Sequence, residues 1–98
     1  MDFEIIKLPK GKSSVLGKIV QDDLVSRQTI VVRDMVSLNM EGDDTLILIE
    51  GSSEALKKAM EIVADEGSSL TGDEKQRVYK TIMEAEDDVA EGLGLMFG

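Results

Sequence analysis

The chain has 98 residues and a formal net charge of -9, with 11 Lys and Arg against 20 Asp and Glu, and it contains no His and no Cys. Those absences remove disulfides, thiol nucleophiles, imidazole acid-base catalysis and the usual zinc sites, leaving carboxylate, lysine, arginine, hydroxyl and backbone chemistry. The charge repels a phosphate backbone, and Phe3, Tyr79 and Phe97 are the only aromatic residues, so no nucleic-acid partner is expected.

With 42% hydrophobic and 32% charged residues, the composition is that of a globular chain, and the length suits a single domain over 1–98. No apolar stretch approaches the length of a membrane span, and the first residues, Met1 to Glu4, carry acid where a secretory signal carries base. A cytoplasmic location and no membrane association are therefore expected.

Phe3 to Leu8 is a β-rich run closed by Pro9 and Gly11. Ser13 or Ser14 then caps a helix whose stripe is Val15, Leu16, Ile19, Val20 and Leu24. From Gln28 to Met40 the period becomes two, with Ile30, Val32, Val36, Leu38 and Met40 on one face and Asp34 interrupting it. A turn at Gly42 and Asp43 predicts a hairpin in which Met40 pairs with Thr45, Leu38 with Ile47 and Val36 with Ile49. Ser52 and Ser53 open a second helix carrying Ala55, Leu56, Ala59, Met60, Ile62 and Val63, with Gly67 as its stop. Thr71 and Glu74 form a capping box for a third, with Val78, Ile82, Ala85 and Val89 on its stripe. Residues 93–98 alternate Gly with apolar groups and read as an apolar tail or a short edge strand. The order β-α-β-β-α-α predicts a small α+β domain, a ferredoxin-like variant. Its sheet would have three or four mainly antiparallel strands, with helices packed on one face.

Three groups of residues invite chemistry. Gly11, Lys12 and Ser13 stand between strand and helix, as the end of a phosphate-binding loop does, but Ile6 occupies the position where that motif requires its first glycine. What survives is a small-anion site formed by Lys10, Lys12 and Ser13 with the first helical amides. Glu84, Asp87, Asp88 and Glu91 gather late in a helix, where carboxylates oppose the dipole and the like-charge pairs 84/88 and 87/91 each cost about 0.2–0.5 kcal/mol. Hard cations take oxygen ligands, so Ca²⁺ or Mg²⁺ is the ion such a group would hold, with a solvated face and a protein-docking face as the other readings. No stretch has the spacing of an EF-hand loop. Asp34, on an apolar strand face, reads either as a catalytic carboxylate of raised pKa or as the mark of a β-bulge or the open end of the sheet.

The run Ile47 to Val63, ILIEGSSEALKKAMEIV, resembles the strand-turn-helix of small ferredoxin-like domains, including the ACT-type regulatory modules, which bind small ligands at dimer interfaces. The resemblance brings no ligand motif and so assigns no binding residue. In composition the chain is similar to small uncharacterised proteins of methanogenic archaea. The reading that follows is a non-catalytic cytoplasmic interaction or regulatory module with a protein partner or a second copy of itself. The alternatives are a hard-cation or small-anion binding protein, and an enzyme using Lys12 or Asp34.

Overall fold

The computed structural model describes the backbone of residues 2–97 and the side chains of residues 2–12 and 14–85. Its elements are β1 (Asp2–Leu8), α1 (Ser13–Gln21), β2 (Thr29–Asp34), β3 (Thr45–Gly51), α2 (Ser53–Val63), β4 (Ser68–Ser69) and α3 (Gly72–Phe97), with 3-10 turns at Val25–Arg27, Val36–Leu38 and Ala64–Glu66. The sheet runs β2-β3-β1-β4 and every neighbouring pair is antiparallel. Each β-α-β unit is thus split by a strand from the other, the ferredoxin-like connectivity, here followed by a further helix.

The α+β class and the antiparallel sheet agree with the sequence, and three details differ. The first is β4, which inserts a strand between α2 and α3; at two residues it is too short to leave a period-two signal. It sits close against β1 because residue 67 is glycine, as a Cβ there would lie 2.9 Å from the Lys7 carbonyl oxygen.

The second is the pairing of β2. Ile47 faces Val32 and Ile49 faces Ile30, whereas the hairpin centred on Gly42 and Asp43 predicted Leu38 and Val36. The chain leaves the sheet after Asp34. The Met35 amide donates to the Asp44 carbonyl at 3.0 Å, the Ser37 hydroxyl donates to the Asp34 carbonyl at 2.7 Å, and Asn39 turns the chain with φ of 59°. Ser37 and Asn39 favour such local bonds and left-handed turns, and here they outcompete the apolar alternation of Val36, Leu38 and Met40. The displacement is by an even number of residues, so Ile30 and Val32 keep the face they were assigned.

The third is that helices cover both faces of the sheet. On one, Ile6, Leu8, Ile47 and Ile49 pack with Val15 and Ile19 of α1 and Leu56, Ala59 and Val63 of α2. On the other, Ile5, Leu46 and Leu48 pack with Met35, Leu70 and Val78 and Ile82 of α3. Leu46 to Ile49 are all buried, and a strand that is apolar at every position is one covered on both sides.

Local capping is uneven. Ser52 caps α2, its hydroxyl oxygen accepting from the Ala55 amide at 3.2 Å, while the N-cap position of α1 is Lys12, which makes no side-chain cap bond. Backbone residues 93–97 continue α3. Whether their side chains dock, as the tail or edge-strand reading supposed, lies outside the described residues.

Candidate functional site

The residues predicted to hold an anion are not assembled around one. Lys10 and Lys12 are exposed, and Lys12 Nζ stands 2.6 Å from Glu66 Oε2, closing the loop between β1 and α1 onto the turn after α2. The hydrogen bond from Lys12, with its charge and that of Lys18, holds the Glu66 carboxyl below the usual carboxylate range. The Ser13 side chain lies outside the described residues. Of the predicted cation ligands, Glu84 is exposed beside a hollow of about 350 Å³ shared with Ser37, Leu38, Asn39 and Thr81, and Asp87, Asp88 and Glu91 fall outside the described side chains. Among the described residues no group of three acidic side chains is gathered as a metal site. Asp34 is exposed at the end of β2, with the Thr45 hydroxyl donating to its Oδ1 at 3.5 Å, which is the open-end reading and not a buried carboxylate.

Polar side chains in general stay at the surface. Among the described residues none is buried, so no carboxylate or lysine is held in an apolar site of the sort that tunes a catalytic group. The most connected polar group ties α3 to the rim of the sheet. Lys75 Nζ donates to Glu4 Oε1 at 2.5 Å and lies 4.8 Å above the Phe3 ring; Phe3 meets Tyr79 with ring centroids 4.3 Å apart; and the Tyr79 hydroxyl donates to Glu50 Oε2 at 3.2 Å. Phe3, Glu4 and Lys75 of this cluster also line a surface hollow of about 430 Å³ with Leu56, Lys57 and Met60 of α2.

Burial raises the Tyr79 pKa above 10.0, and the Glu50 carboxylate raises it further by its charge and by accepting the phenolic proton. The folded chain therefore holds that proton more tightly than the unfolded one, so the stability it contributes is complete below pH 10 and is lost as pH rises through the folded value. Tyr79 is the sole tyrosine and there is no Trp, so absorbance of tyrosinate reports this group alone. The titration midpoint is expected above the ordinary value and should fall towards it in Glu50→Gln; an unchanged midpoint in that variant removes Glu50 as a cause.

The feature with open valence is the outer edge of β2. The Ile5 carbonyl accepts from the Leu70 amide, so Ile5 directs its backbone groups away from β3, and Leu48 opposite it directs its own towards β2. Leu48 pairs with Val31, which makes Val31 and its odd-numbered neighbours the residues bonded to β3, in keeping with the Met35 to Asp44 bond. Ile30, Val32 and Asp34 consequently present their amides and carbonyls outward along an edge that, among the described residues, has no strand beside it. Ile30, Val31 and Val32 are half-buried and β-branched, and neither proline nor lysine interrupts Thr29–Asp34. Beyond the strand Val36 is 66% exposed, the most exposed large apolar side chain among the described residues.

Two side chains lie on this edge. Arg33 Nη1 donates to the Val32 carbonyl at 2.8 Å, and the Ser37 hydroxyl occupies the Asp34 carbonyl. Sequence reasoning missed both, since it carried the strand through residue 40; the polar interruption Asp34, Ser37, Asn39 was the available sign that the edge ends early.

No protein-family model, curated protein or solved structure matches this chain. Among the described residues no helix is long and apolar enough to cross a membrane.

Proposed function

We propose that the chain is a non-catalytic interaction module whose β2 edge takes up an extended segment of a protein partner as an added strand. The observation that carries this reading is the row of outward backbone groups at Ile30, Val32 and Asp34, flanked by half-buried β-branched side chains. In strand addition the main chain supplies affinity and alternate side chains supply selectivity, and an edge whose first four residues, Thr29 to Val32, are β-branched suits both. The net charge of -9 selects a basic partner and repels a second copy of the chain.

The test is selection of random displayed peptides on the chain, followed by titration of the strongest binder into isotope-labelled protein. Selected peptides should be β-branched and rich in Lys or Arg, with the largest amide shifts at Ile30, Val32 and Asp34. Val32→Pro removes an outward donor and should weaken binding about tenfold or more, whereas Val32→Thr keeps that donor and should bind nearly as wild type. Shifts gathered on another surface, or full binding by the proline variant, would sink the proposal.

A further inference from the structure

We infer that the segment taken up by β2 is an amphipathic strand whose residue opposite Ile30 carries a large apolar side chain, seated against Leu16 and Val20 of α1; this rests on the reading of β2 as the docking edge. Val20 at 46% and Val36 at 66% are the most exposed large apolar side chains among the described residues. Both border β2. Val36 follows the strand by two residues, and Val20 stands in the last turn of α1, which the Val25–Arg27 turn joins to Thr29.

The side that α1 presents to this edge follows from the topology. β1 and β2 are each antiparallel to β3 between them and so parallel to one another, and the right-handed crossover that joins such strands sets α1 above β3 and β2. The same rule sets α2 above β1. α1 runs back along the strands with Val15 and Ile19 buried against the sheet, so at about 100° per residue Leu16 and Val20 turn to the β2 side and Lys18 to the α2 side. Leu16, Ile30 and Val32 are half-buried against the cluster that contains Val15, Ile19, Ile47 and Ile49. An apolar strip thus runs from the core to the edge on the α1 face.

In a sheet, residues paired across two strands set their side chains on one face. The residue opposite Ile30 therefore meets Ile30, Leu16 and Val20, and the residue two positions along meets Val32. Those between fall on the α3 face with Val31 and Arg33, outside this strip. The Lys and Arg that the net charge of -9 favours in a partner are excluded from the two positions opposite Ile30 and Val32, where a charge would be pressed against apolar carbon.

The peptide selected on the wild-type chain serves as the probe, titrated into labelled Val20→Ser, Val20→Leu and Gln21→Ser. Val20 and Gln21 are exposed, so these changes leave the buried clusters intact. Val20→Ser should weaken binding about threefold to tenfold, Val20→Leu should bind as wild type or tighter, and Gln21→Ser, on the outer side of the same turn, should bind as wild type. In the complex the peptide residue opposite Ile30 should be large and apolar and should give nuclear Overhauser contacts to the Val20 methyl groups. Wild-type affinity in Val20→Ser, with shifts still centred on Ile30, Val32 and Asp34, overturns the apolar seat and leaves the docking reading standing. A peptide whose shifts map to another surface, or a selection that yields no binder, overturns both.

Discussion

Alanine at Ile82 should destabilise the chain by about 2–5 kcal/mol, as much as the same change at Ile19 on the opposite face of the sheet. Both side chains are fully buried, Ile19 among β1, β3 and α2 residues and Ile82 among Ile5, Leu46, Leu48 and Val78. Each deletion removes several buried carbons and leaves a cavity that rigid neighbours cannot close. The two clusters share β1 and β3, whose alternate residues serve opposite faces, so a loss on one face is transmitted to the other through the strands themselves. Denaturant unfolding followed by circular dichroism should show a single transition for both variants, displaced to a similar extent. A change below about 1 kcal/mol for Ile82→Ala, with Ile19→Ala strongly destabilised, would mean that α3 is an appendage and that only one face is a true core.

Valine at Gly67 is expected to cost about 1–3 kcal/mol by overpacking. Its φ of -145° is open to any residue, so the constraint is space and not backbone conformation. A Cβ at 67 meets the Lys7 carbonyl oxygen at 2.9 Å, Leu8 Cδ1 at 3.1 Å and Val63 Cγ1 at 3.2 Å. The nearest of these is backbone within β1, so the short strand that follows must move outward, against the pairs Ile6 with Ser69 and Lys7 with Ser68 and the bond from the Leu70 amide to the Ile5 carbonyl. Gly17 provides the contrast, since nothing lies within 4 Å of a Cβ there and alanine within α1 should stabilise by about 0.5–1 kcal/mol. Thermal melts of the two variants should move in opposite directions; a neutral Gly67→Val would show that β4 is not held against β1 as described.

The candidate surface was only partly readable from the residues. Ile30 and Val32 were placed on the correct face because the side-chain period of a strand survives an even displacement of register. Their role as an edge was not visible, since the order β2-β3-β1-β4 is a property of the whole chain. Lys12 shows the opposite failure. Its position before a helix suggested an anion, and the structure gives it Glu66, a residue 54 positions away along the sequence (66 less 12) that no local pattern could connect to it.

Local chemistry determined where strands and helices begin, which positions are apolar and which enzyme mechanisms lack their side chains, because propensity, period and capping act within a few residues. Tertiary structure decided the rest: the end of β2, the two-residue β4, the covering of both sheet faces and the exposure of one backbone edge. Those outcomes depend on which apolar surfaces meet across the fold, and burial has no address in the sequence beyond the alternation it leaves behind.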